Sequence, residues 1–136
     1  MDQMFSRFQP AALSLFRFIT GLCLLQFGIA KILKFPPGNP FEKVELFSLI
    51  GAAGGLELVL GTLLMIGLWT RIAAFILAGE MAFAYFIGHM FRTGSAVFHP
   101  LFNNGTLAIM MCFACLYLAT AGGGPYSVDA MMGKKN

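Results

Sequence analysis

Residues 11–35 are an apolar run of about 25 residues, enough at ~1.5 Å per residue to cross a ~30 Å hydrocarbon core with tilt. Three more runs of that kind follow, and they leave little room for any fold but a bundle of membrane helices. The surface could not be wetted otherwise: 58% of the 136 residues are hydrophobic and 11% are charged, against roughly 25% charged in an ordinary soluble domain. A secretory signal is the rival reading of the first run. Signal cores are shorter, about 7–15 residues, and do not usually hold a charge such as Arg17.

Punctuation divides the chain into one domain of four spans. Pro36-Pro37-Gly38-Asn39-Pro40 stops the first, since proline cannot continue the helical ladder. Residues 41–47 read as a short interfacial segment, 48–68 as the second span, Trp69-Thr70-Arg71 as a tight turn and 72–91 as the third span. A polar connection precedes the fourth span at 101–121, and the Gly122-Gly123-Gly124-Pro125 run opens a tail, 122–136, with a helix start capped by Ser127. Both termini then share one side with Arg7, Arg71, Lys134 and Lys135, against Lys34, Lys43 and Arg92 on the other. By the positive-inside rule that side is cytoplasmic. The net charge of +3 has no basic cluster and points to anionic lipid rather than nucleic acid.

Ionisable groups inside the spans cost at least ~2.5–3.5 kcal/mol each at a helix centre, so each needs a partner or a purpose. Arg17, Gly21, Leu24, Gly28 and Lys31 recur at helical spacing, as do Gly54, Glu57 and Gly61. Small residues at such intervals let membrane helices approach closely, so both stripes should face inward. Counted from Trp69, Glu57 and Glu80 fall at nearly the same depth, and Arg17 matches it if the first helix begins near Ser6. The spacing predicts an inner layer of Arg17, Glu57 and Glu80. One carboxylate would pair with the arginine and the other would hold a proton, since two close carboxylates in apolar surroundings do not both ionise. Lys31, His89, His99, Asn103 and Asn104 suggest a second polar layer, a mouth for a polar head group, unless Lys31 snorkels to the interface. The histidines lack a third ligand at metal-site spacing. Cys112 and Cys115 lie mid-helix, away from the N-terminal positions that activate thiols, and read as small packing residues beside an unpaired Cys23. Gly51 and Gly55 leave internal packing and a dimer contact equally open.

In order along the chain stand Arg17-xxx-Gly21, Gly28-xx-Lys31, Gly55-Leu-Glu57 with Gly61, Gly67-Leu-Trp-Thr-Arg71, Ala84-Tyr85-Phe86 with His89, and Gly124-Pro125-xx-Ser127-x-Asp129. This set resembles the DoxX family of small four-helix bacterial membrane proteins over nearly the whole length. It departs from the family at Asn103-Asn104-Gly105-Thr106, where relatives commonly carry a glutamate after the glycine. The resemblance implies an all-α four-helix bundle in the bacterial inner membrane. It also implies a membrane subunit of a sulfur- or thiol-linked redox system, with a quinone as candidate cofactor and a redox or sulfurtransferase protein as candidate partner. On that reading Glu57 or Glu80 relays a proton, and Lys31, His89 and Asn104 are the candidates for holding the quinone head. A small carrier or proton pathway built on the same carboxylates, and a scaffold whose charges only lock the helices, remain open beside it. No phosphate-binding loop, haem-attachment motif or nucleophile elbow is present, which argues against a self-sufficient oxidoreductase.

Overall fold

The computed structural model describes residues 1–133, and its only regular elements are helices. A lead-in turn, α1 (Asp2–Ser6), precedes α2 (Gln9–Gly28), whose last turn widens into a π-helical segment, Ile29–Leu33, that carries Lys31. After a turn-rich loop, 34–48, come α3 (Leu49–Ile66) and α4 (Thr70–Phe83), the latter continued by a second π-helical segment, Ala84–Met90. Then follow α5 (Pro100–Asn103), α6 (Thr106–Ala121) and α7 (Val128–Met131).

The helix ends have local causes. The Ser48 hydroxyl accepts a hydrogen bond from the Gly51 amide (3.1 Å) and starts α3, and Gly67, at φ +77°, ends it. Asn104 stands in the left-handed region (φ +58°), while the Asn103 side chain accepts from the Gly105 amide. Residues 101–121 are therefore not one helix: α5 turns separately and α6 begins at Thr106. Ser127 caps α7 as its sequence position predicts, accepting from the Ala130 amide at 3.1 Å.

With its π extension, α2 runs Gln9–Leu33; α3 runs Leu49–Ile66, and α4 with its extension Thr70–Met90. All three are long and apolar enough to cross a membrane, and α6 is a shorter apolar helix of 16 residues. Large apolar side chains cover the outside, including Leu15, Phe75, Phe83 and Phe113, each more than 60% exposed. On a soluble protein so much contiguous apolar surface would drive association. Here it is the lipid contact of a helical membrane protein.

The two small-residue stripes meet each other. A Cβ on Gly21 would fall 2.6 Å from the Met65 Cα, and one on Gly28 would fall 2.7 Å from the Leu58 Cα. From the other helix, a Cβ on Gly61 would sit 2.9 Å from the Leu25 amide nitrogen. Backbone meets backbone along this antiparallel pair, so Gly21→Ala or Gly28→Ala must push the helices apart. The expected loss is about 1–3 kcal/mol, the ordinary cost of overpacking. Gly55 has open space around it, so Gly55→Ala should be neutral or slightly stabilising through helix propensity. Thermal unfolding of the three variants in one detergent checks this ranking.

Beyond α6 the chain folds back instead of trailing away. The Asp129 amide donates to the Gly67 carbonyl (2.9 Å), and the Tyr126 amide donates to the Ser14 hydroxyl (3.1 Å). Lys134 and Lys135, which entered the charge count for orientation, lie outside the described residues.

Candidate functional site

Two polar centres sit at different depths. The first is built on Arg17, buried on the inner stripe of α2. Its guanidinium donates to the carbonyls of Gly123 (2.9 Å), Leu64 (2.9 Å), Tyr126 (2.7 Å) and Met65. Leu64 and Met65 are in the last turn of α3, where carbonyls run short of helical partners and the helix dipole favours a cation. Gly123 and Tyr126 belong to the returning tail. Gly67 must be glycine here, because a Cβ would come within 2.5 Å of the Ser127 Cβ and 3.0 Å of the Arg17 Cζ. Beside them, the Asp129 carboxylate accepts from the amides of Trp69 and Thr70, both at 2.9 Å, capping α4. Arg17, the tail and the α3–α4 turn are thus tied into one knot.

The second centre lies deeper in the bundle. Lys31 donates to both carboxylate oxygens of Glu57, at 2.8 and 2.7 Å. Glu57 is buried among the helices, while the lysine ammonium rests against the rings of Phe41 and Phe27 at 5.1 and 5.8 Å. Glu80 comes in from α4. Both of its carboxyl oxygens are buried, and among the described residues no donor reaches either of them. Its polar neighbours are the Glu57 carboxyl, within hydrogen-bonding reach, and the Lys31 ammonium beyond it. Ionised carboxylates only accept hydrogen bonds, so these two can bond to each other only when one carries a proton. The Cys115 thiol lies on the α6 side of Glu80 and has no exposure.

The predicted layer of Arg17, Glu57 and Glu80 therefore divides. The two glutamates meet at one level, as counting from the turn predicts, but Arg17 does not join them. It is satisfied by carbonyls nearer the terminal end, and the cation beside Glu57 is Lys31. Lys31 does not snorkel; its ammonium is held by the Glu57 carboxylate. His89 is engaged with the Asn103 carbonyl through Nδ1 (3.0 Å), His99 accepts from the Leu101 amide at the start of α5 (3.3 Å), and Asn104 is exposed at its end. Of the residues suggested for a quinone head group, Lys31 is thus held by Glu57, His89 by the Asn103 carbonyl, and Asn104 stands exposed. Around His89 there is instead a small polar cluster, in which Asn103 donates to the Val97 carbonyl (2.7 Å) and the Tyr85 hydroxyl (3.3 Å). Among the described residues, no cluster of histidine, cysteine and carboxylate side chains is arranged to hold a metal ion.

Ser14 and Asp129 take functional places in the structure that their sequence positions alone do not assign. Ser14 carried a signal, since it lies three residues before Arg17 on the same helical stripe. Asp129 carried little, because an acid caps a distant helix only after the tail has folded back.

Comparison with known proteins adds the following. The DoxX family profile matches residues 12–90. An uncharacterized protein of Haemophilus influenzae (strain ATCC 51907 / DSM 11121 / KW20 / Rd) is 35% identical over 138 aligned positions, which cover 95% of this chain and 96% of that protein. No solved structure matches.

Proposed function

Since the chain belongs to the DoxX family, we propose that it is the membrane subunit of a sulfur- or thiol-linked, quinone-dependent redox system, and that its Glu57–Glu80 pair holds and hands over one proton. The observation that carries this reading is the Glu80 carboxyl, buried without a donor among the described residues beside a glutamate already paired to Lys31. A structural clamp needs one acid for one base. A second acid at the same spot adds burial cost and no new bond, so it asks for a purpose. Binding and reduction of the quinone belong on this reading to the assembled system, with a redox or sulfurtransferase protein as partner. The reading takes α6, lengthened by the α5 turn, as a fourth crossing of a bacterial inner membrane. It places the termini, with Arg7 and Arg71, on the cytoplasmic side.

The test is quinone reduction by native membranes supplied with thiosulfate or a thiol donor. Glu80→Gln keeps the side chain's shape and removes its titration. It should lower the rate by about two orders of magnitude, the ordinary contribution of a positioned proton-transfer group. Unchanged rates in both Glu80→Gln and Glu57→Gln would end the proposal. Proton flux in liposomes holding this chain alone would make it a carrier instead.

A further inference from the structure

The interior is not symmetric about the carboxyl pair. Leu24, Leu64, Leu77 and Leu118, one from each of α2, α3, α4 and α6, have no exposure, and they pack in one cluster that also holds Ala74, Ala78, Met81 and Cys115. Their positions put them between the carboxyl pair and the Arg17 knot. Leu24 is midway between Arg17 and Lys31, and Leu64 lies two turns beyond Glu57 toward Gly67. Leu77 is one turn before Glu80, and Leu118 is one turn beyond Cys115. The knot then closes the same end a second time, since its donors and acceptors are spent on each other.

Among the described residues, nothing comparable stands on the other side of the pair. The buried apolar residues farther toward that end are Ala30, Met90 and Ala108, small or flexible side chains, and each retains some exposure. Lys31 is partly open, with 11% of its side chain exposed against 2% for Glu57. Tyr85, His89 and Asn103 place polar groups in the last turns at that end.

We infer that the carboxyl pair communicates with one end of the molecule only, the end carrying loop 34–48 and segment 91–105, and that the four leucines bar it from the end carrying the termini. This rests on the pair being the proposed proton-holding site and adds a direction to it. Water and protons arrive past Lys31 and the Tyr85–His89–Asn103 cluster and leave the same way. A proton taken up at one end is therefore returned to that end and does not cross the bundle.

Thiol labelling in sealed vesicles tests the direction without reading any redox activity. The native thiols are replaced with alanine, and Ser6→Cys and Ser95→Cys mark the two ends. A membrane-impermeant cationic methanethiosulfonate is then applied to vesicles of each orientation. Glu80→Cys should react from the Ser95 side at least about tenfold faster than from the Ser6 side, since a polar reagent is excluded by a dry apolar layer. Should that variant not assemble, Ala84→Cys and Leu77→Cys flank the pair by about a turn on either side without removing a charge, and only the first should react, from the Ser95 side. Reaction from the Ser6 side, equal reaction from both, or none from either overturns the inference. The labelling pattern stands or falls separately from quinone reduction, so failure of either reading is recognised by itself.

Discussion

Arg17→Met should lower stability by roughly 3 kcal/mol or more, since polar contacts inside membrane proteins return about 0.6–1.7 kcal/mol each and this side chain makes four. The loss is spread across the architecture. Two of the carbonyls end α3 and two lie in the returning tail, so without the guanidinium the Gly123 and Tyr126 carbonyls lose the donor they close on. The Asp129 cap on α4 is the next contact to loosen, because it is reached only when the tail is in place. Asp129→Ala alone removes the cap and leaves Arg17 with its carbonyls, and should cost about 0.5–2 kcal/mol. Arg17→Lys tests the geometry, because an ammonium keeps the charge but cannot spread five N–H donors over four acceptors. It should recover less than half of the loss. Thermal unfolding in one detergent, with proteolysis at the C-terminal tail as a second readout, gives the ranking. An Arg17→Met protein as stable as wild type, with a protected tail, would show that the knot does not hold this end.

What could be read from the sequence follows from how each contact is encoded. The glycine stripes on α2 and α3 are periodic and have a physical consequence, close approach, and the two helices meet along them. The level of Glu57 and Glu80 follows from counting residues across a tight turn, where little freedom remains. The partner of Arg17 could not be read in the same way. Carbonyl acceptors are present at every residue and leave no mark in a sequence, whereas glutamates are visible, so the reading matched charge with charge. Once carbonyls satisfy Arg17, the cation left for Glu57 is Lys31, near the end of its own helix and on a widened turn. The start of α6 was misplaced for a related reason. Asn104 and Gly105 are a modest signal inside an apolar stretch, and the break they make depends on the Asn103 side chain turning back to the Gly105 amide.

The three ionisable groups of the second centre, Lys31, Glu57 and Glu80, lead to an unequal double-mutant cycle. Lys31→Met leaves two carboxyl groups without their cation in the bundle interior, and should cost about 3–5 kcal/mol, as breaking a buried pair usually does. Glu57→Gln should cost much less, because Glu80 stands beside it with no other donor and can take over the lysine. A lone ion pair shows no such asymmetry; losing either partner strands the other. Removing both, Lys31→Met with Glu57→Gln, leaves a single carboxyl group that is free to protonate, and should bring stability back to within about 1–2 kcal/mol of wild type. The decisive member is the triple variant that adds Glu80→Gln. If Glu80 is the spare partner, Glu57→Gln with Glu80→Gln strands Lys31 and is nearly as damaging as Lys31→Met, while the triple variant is stable. Denaturant unfolding of the set in one detergent measures each corner of the cycle. Equal losses for Lys31→Met and Glu57→Gln would mean that Glu80 does not share the lysine, and that its place beside the pair serves something other than stability.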